Sequence, residues 1–204
     1  MRAENRAKRR DHILDIAIEV LAERGYRDAN MLEVARRARA SKETLYSWFG
    51  DKRGLFEAVI KRNAASVQQV MESQLESDAP VEQAMAAFGR ALLTLLVGES
   101  AVALNRAAIS EAASDPRLAE TLVTEGRQAT LPAFIGFLEL QASRGHLEMS
   151  SPEEAAEDFL GLLLGDLQIR RLLGVQRAPR KMQIEARTEA ATKKFLRLYG
   201  SART

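Results

Sequence analysis

Cysteine is absent from the 204-residue chain, which excludes a disulfide framework, thiolate zinc, iron–sulfur ligation and a cysteine nucleophile together. Histidine is nearly absent. His12 and His146 stand far apart, with no H-x-x-x-H or E-x-x-H spacing, so no metal and no organic cofactor is expected. Glycine (12), proline (5) and aromatics (5%) are scarce, which leaves few turn-formers among many Ala, Leu, Glu and Arg. Helices are expected, and an all-β fold is set aside. Long apolar runs are missing as well: the longest lie near Phe159–Leu164 and Ala91–Val97, far short of the ~20 residues of a membrane span. The opening MRAENRAKRRDH is polar and basic with no apolar stretch behind it, so no secretory signal is expected. The chain reads as soluble and cytoplasmic, with no membrane partner. What it does have, 46% hydrophobic and 28% charged residues, suffices for a packed core in one large domain or two small ones.

A net charge of +2 hides an uneven distribution. Residues 1–62 carry 15 Lys and Arg against 10 Asp and Glu, residues 63–169 carry 5 against 16, and residues 170–204 carry 10 against 2. A basic N-terminal segment before an acidic middle suggests that the N-terminus meets a polyanion. Arg2, Arg6, Lys8, Arg9 and Arg10, against Glu4 alone, read as a flexible basic arm able to neutralise phosphates.

Periodicity and punctuation place the N-terminal helices. Ile13, Leu14, Ala17, Val20 and Leu21 make one apolar face from about Lys8 to Arg24, stopped by Gly25. Asn30 followed by Glu33 reads as a capping box for a second helix, with Met31, Val34, Ala35 and Ala38 inward. Ser41 caps a third helix through about Phe49, in which Leu45 and Phe49 point one way and Lys42, Glu43, Tyr46 and Ser47 another. Gly50 ends it, and Asp51 caps a fourth helix from Lys52 to about Ser77. The two short helices, over about residues 30–49, form a helix-turn-helix, and neither is stable without its neighbours.

These residues carry a resemblance. Ile13-Leu14 with Ala17, Arg24-Gly25-Tyr26, Val34-Ala35, Ala38, Ser41-Lys42, Thr44-Leu45-Tyr46, Phe49, Lys52 and Leu55-Phe56 stand in the order and spacing of the tetracycline-repressor (TetR) family's DNA-binding domain. Several positions depart from that pattern. Arg39 stands where the turn usually has Gly, so the backbone there must avoid positive φ or bear strain. Ala29, Asn30 and Met31 replace the usual Thr or Ser pairs, Met31 and Leu32 remove polar groups, and Trp48 stands where many relatives have His.

The rest of the chain is helical in pattern. Val81, Ala84, Met85, Phe88, Leu92 and Leu95 form one stripe, and Val102, Leu104 and Ile109 another. A helix is expected from Pro116 to Arg144, interrupted only by Pro132, then one from Glu153 to Leu173, and a last one from about Ile184 to Tyr199 with Ile184, Thr188, Ala191, Phe195 and Leu198 on one face. The run from Arg106 to Gly174 resembles the AefR-type C-terminal domain, in Ile109-x-Glu111-Ala112, Pro116-x-Leu118-Ala119, Arg144-Gly145-x-Leu147, Gly165-Asp166 and Leu172-Leu173-Gly174 among others. That resemblance implies homodimerisation through the last two helices.

The expected fold is all-α: an N-terminal helix-turn-helix domain over 1–62, then a helical regulatory and dimerisation domain over 63–204. The expected function is a sequence-specific DNA-binding regulator, a repressor released by a small-molecule effector. Its partner is double-stranded DNA with a palindromic operator, bound by a homodimer. Lys42 suits guanine or phosphate and Glu43 a cytosine amino group; Tyr46 and Lys52 suit phosphates; Thr44, Ser47 and Trp48 complete the candidate contacts. Phe88, Leu92, Phe134 and Phe137 are either plain core or the wall of an apolar effector cavity, with Asn105 and Asp166 as polar anchors. A helical enzyme finds no nucleophile–base pair, metal motif or phosphate loop to support it. A protein-binding helical adaptor is the alternative, but it needs neither a basic arm nor a polar third helix.

Overall fold

The computed structural model describes residues 2–75 and 79–201. Eleven α-helices follow one another among them: α1 Arg2–Asp28, α2 Met31–Arg37, α3 Lys42–Phe49, α4 Lys52–Leu75, α5 Val81–Val97, α6 Glu99–Glu111, α7 Arg117–Thr121, α8 Gln128–Ser143, α9 Pro152–Leu164, α10 Leu167–Leu172 and α11 Lys181–Tyr199. A π-helical stretch, Leu122–Arg127, joins α7 to α8. The wider turn stands ahead of Pro132, the one residue inside α8 with no N–H to give.

The chain packs as two units, one of residues 1–63 with 99–126, the other of 64–98 with 127–204. This cuts the chain differently from the 1–62 and 63–204 division expected from sequence. The reason is hydrophobic: Leu104, Ala107, Ala108 and Leu118 are buried in the same core as Ile13, Leu14, Val34, Leu45 and Phe56. Two residues of the expected apolar stripes are exposed in the single chain: Ile109 on α6 and Leu198 on α11.

In the first unit the local signals act as expected, with two corrections. Asn30 Oδ1 accepts from the Glu33 N–H at 2.9 Å and Ser41 Oγ from the Thr44 N–H at 3.1 Å, each fixing a helix start. Asp51 Oδ1 accepts from Gly54 N at 2.8 Å and starts α4, whose expected end at Ser77 lies outside the described residues. Gly25 breaks α1 with φ 73°, but the helix resumes to Asp28, and it begins at Arg2 rather than Lys8. The basic arm is therefore helical backbone, not a loose tail; the Arg2 side chain lies outside the described residues. The second correction concerns the capping box: Glu33 does not return a bond to Asn30, because Arg36 and Arg37 take its carboxylate.

The second unit is built on rings. Phe88 stacks on Phe134 with centroids 4.2 Å apart, Phe134 meets Phe159 at 5.3 Å, and Phe159 meets Phe195 edge-on at 5.6 Å. α11 packs closely on α5 because position 89 is glycine: a Cβ there would come within 2.8 Å of Thr188 Cγ2. The expected single helix over 153–173 is broken. Gly165 takes φ 47°, and Arg187 reaches across to donate to the carbonyls of Leu163 (2.5 Å) and Leu164 (2.6 Å), capping α9. Arg171, which is buried, donates to Val97 O at 3.0 Å and so caps α5.

Candidate nucleic-acid interface

α3 is eight residues long, too short to persist alone, and it commits only Leu45 and Phe49 to the core. Lys42, Glu43, Tyr46 and Ser47 are exposed on the remaining surface, while Thr44 and Trp48 are half-buried at its edges. The Thr44 and Ser41 hydroxyls lie 3.0 Å apart, so Thr44 shares in the cap. Lys42 Nζ stands over the Tyr46 ring at 5.6 Å, joining a cation to an aromatic on the outer face. The Glu43 carboxyl is held below its ordinary value, first by its own backbone N–H and then by the Ser41 hydroxyl, with the Lys42 charge adding to both. It is therefore an ionised acceptor at neutral pH.

Of the two alternatives open at the turn before α3, the backbone takes the strained one: Arg39 has φ 51°, the one non-glycine residue with positive φ among those described. α2, on the other side of the turn, is tied to α1 by charge. Arg37 grips Glu23 with two bonds (2.9 and 2.6 Å) and reaches Glu33 at 2.8 Å. Arg36 adds two more bonds to Glu33, and together they hold that carboxyl at about 2, Arg36 first and Arg37 second.

Lys52 is placed otherwise than expected. Its ammonium turns inward and donates to the carbonyls of Tyr26 (2.7 Å) and Arg27 (3.2 Å), lying 4.4 Å above the Tyr26 ring. Burial pushes its pKa below the ordinary lysine value. It caps the end of α1 and ties α4 to it. Nothing in the local sequence signals this, since donor and acceptors are 25 and 26 residues apart.

The candidate effector residues are corrected too. Phe88, Leu92, Phe134 and Phe137 are buried, and the three rings fill one another's space instead of walling a cavity. Asp166 is not inside an apolar helix: it is exposed at the break before α10 and pairs with Arg170 at 2.6 Å. Asn105 belongs to the first unit and donates to the Ala101 carbonyl, one turn back, at 2.8 Å. A groove of about 670 Å³ runs beside Val70, Ala91, Leu95 and Ile184, with Arg90 and Lys181 also lining it. Among the described residues no group of three or more His, Asp or Glu could hold a metal ion, and no single helix is long and apolar enough to cross a membrane.

A short capped helix, a tight turn and a second helix with a polar outer face make a helix-turn-helix of the DNA-reading class. Comparison with known proteins agrees. The family described as bacterial regulatory proteins, tetR family, matches residues 13–59, and the AefR-like transcriptional repressor C-terminal domain matches residues 83–201. A solved TetR transcriptional regulator from Agrobacterium tumefaciens is 34% identical, with 95% of this chain and 96% of that one covered at a TM-score of 0.72. The solved flavonoid-responsive regulator FrrA is 29% identical, with 97% and 100% covered at a TM-score of 0.66. The uncharacterized HTH-type transcriptional regulator YvkB of Bacillus subtilis (strain 168) is 26% identical over 165 residues, 79% of this chain and 82% of that protein. The chain belongs to the TetR family of helix-turn-helix transcriptional regulators, proteins that bind DNA and act as dimers.

Proposed function

We propose that this regulator is a repressor that reads a palindromic operator as a homodimer and leaves it when a small molecule binds. Residues 1–62 carry the DNA-reading role, and residues 63–204 carry regulation and dimerisation. The observation that carries this reading is the outer face of α3, where Lys42, Glu43, Tyr46 and Ser47 stay exposed on a helix whose buried side chains are Leu45 and Phe49. Lys42 and Glu43, in the first turn, are matched to base edges: a donor for guanine and an ionised acceptor for a cytosine amino group. Tyr46 suits a phosphate, and Thr44 and Ser47 suit either kind of contact. Lys52 contributes by holding α4 against α1. The place of action on this reading is the cytoplasm.

Dimerisation through the C-terminal helices is supported by exposed apolar side chains at Ile169, Leu173, Val175, Met182 and Leu198. Repression accords with the AefR-like repressor domain, and response to a small molecule accords with the similarity to a flavonoid-responsive regulator. The groove beside Val70, Ala91, Leu95 and Ile184 replaces the phenylalanine cluster as the candidate effector site. α4 carries residues of both packing units, so a ligand that shifts it acts on the reading head through continuous helix.

The test is binding of Lys42→Ala and Glu43→Ala proteins to an operator and to scrambled DNA at two salt concentrations. Each variant should change preference at one or two positions of each half-site by about 1–3 kcal/mol and leave scrambled DNA alone. Equal loss on both DNAs would remove base reading from this turn. Absence of any steep salt dependence in the unmodified protein would favour the protein-binding adaptor instead.

A further inference from the structure

The basic run at the start of the chain has intramolecular partners. On α1, Arg6 lies over the Trp48 ring with its guanidinium carbon 5.4 Å from the centroid. One turn on, Arg10 lies over the Phe49 ring at 5.6 Å. Between them, Arg9 Nη2 donates to the carbonyl of Arg39 at 2.6 Å, the carbonyl of the strained turn residue. Lys8 does none of this; it pairs with Glu4 at 2.7 Å. Farther along the same helix, Arg62 of α4 donates to Asp11 O (3.0 Å) and to Asp15 Oδ1 (2.8 Å), bracing this stretch of α1 from the other side.

The placement has a mechanical consequence. Leu45 and Phe49 are four residues apart and lie on one line along α3, so their burial fixes its depth but resists rolling about that line only weakly. Rolling would re-aim Lys42 and Glu43, and a small misplacement of a reading group is costly. Trp48 flanks Phe49, with the two rings edge-on at 6.4 Å, and it is the ring that a roll would carry away first. Arg9 holds the turn that leads into α3, while Arg6 and Arg10 hold the rings at its far end.

We infer that Arg6, Arg9 and Arg10 are positioning residues for DNA reading, which set the roll and tilt of α3 through Trp48, Phe49 and the Arg39 carbonyl. Their task is not to neutralise phosphates, and Trp48 serves as their platform rather than as a base contact. Arginine suits these places because a planar guanidinium covers a ring face, as at Arg6 and Arg10, and donates in a fixed plane, as at Arg9; lysine keeps the charge and loses the plane. The inference rests on the reading that α3 enters DNA.

The test uses the full chain and duplexes selected from a random-sequence library by the unmodified protein, with scrambled duplexes as control. The triple variant Arg6→Lys, Arg9→Lys, Arg10→Lys keeps every positive charge. It is expected to lose about tenfold in preference for the selected sequence over the scrambled one, with the salt slope of binding unchanged. Trp48→Ala should give a similar loss, and Trp48→Phe should recover much of it. Combining Arg6→Lys with Trp48→Ala should add little to Trp48→Ala alone, since both break one contact. If the triple lysine variant binds as the unmodified protein does, while the triple glutamine variant loses affinity for both duplexes and about three units of salt slope, the arginines are phosphate contacts and the inference is overturned. Additive losses for Arg6→Lys and Trp48→Ala would overturn it too. Should the triple variant fail to fold, as judged by circular dichroism, the Arg6→Lys and Trp48→Phe single variants decide by the same criteria. A protein that enriches no sequence at all would refute DNA reading itself, a distinct outcome.

Discussion

In the first packing unit an eight-residue helix buries two side chains, and charged side chains hold its surroundings: Arg37 on Glu23 and Glu33, Lys52 on the carbonyls that end α1, arginines of α1 on Trp48 and Phe49. In the second unit Phe88, Phe134, Phe159 and Phe195 meet ring to ring, and among the described residues no ion pair enters the cluster. The difference follows from what each must do. A helix that presents its polar face outward has little apolar surface left to bury, so charged groups at its edges must fix it. A regulatory core has no such restriction and packs on dispersion and area. The reading head should therefore respond to salt and pH under conditions that leave the aromatic core unmoved.

Four changes would break or sharpen that contrast. The largest effect is expected from Phe134→Ala, which removes the ring at the centre of the stack and should cost about 3–5 kcal/mol in urea unfolding. A loss under about 1 kcal/mol would show that the cluster does not carry the second unit. Next is Leu173→Glu combined with Leu198→Glu, side chains 69% and 64% exposed in the single chain. Helix content should stay constant while dimer association, followed by analytical ultracentrifugation, weakens by about 2–4 kcal/mol. An unchanged association constant would place the interface elsewhere.

Ser41→Ala comes third. Loss of the bond to the Thr44 N–H should cost about 1 kcal/mol, visible as faster amide exchange in α3 and not in α11. The smallest effect is a pH dependence. Glu33 is ionised down to about 2, well below its unfolded value of about 4.3, so its contribution is fully present above that value and fades as pH falls toward 2. Melting of the unmodified protein and of Glu33→Gln should therefore differ at pH 7 and converge near pH 2. A difference that persisted at low pH would mean that Glu33 acts by packing, not charge.

Legibility in the sequence followed the range of each interaction. Asn30, Ser41 and Asp51 cap within three residues of their own position, and residue type alone identifies them. One missing glycine marked the turn at Arg39 and narrowed its backbone to two alternatives, of which the structure takes the strained one. The outward set on α3 followed from the helical period. The rest depended on partners far along the chain. Lys52 bonds to residues 25 and 26 positions away, Arg9 to one 30 away and Arg187 to residues 23 and 24 away, and no periodicity encodes such pairings. The break at Gly165 was hidden because apolar residues continue on both sides of it. For the phenylalanines the pattern gave burial but could not distinguish a ring that lines a cavity from one that fills it.

The most direct test of the central claim is selection of bound fragments from genomic DNA by the full-length protein. A dimer presenting two copies of α3 should enrich a palindrome whose half-sites are centred roughly 34–36 Å apart or a multiple of that, with sequence preference at the positions facing Lys42 and Glu43. Enrichment of a sequence without twofold symmetry, or of none, would contradict it.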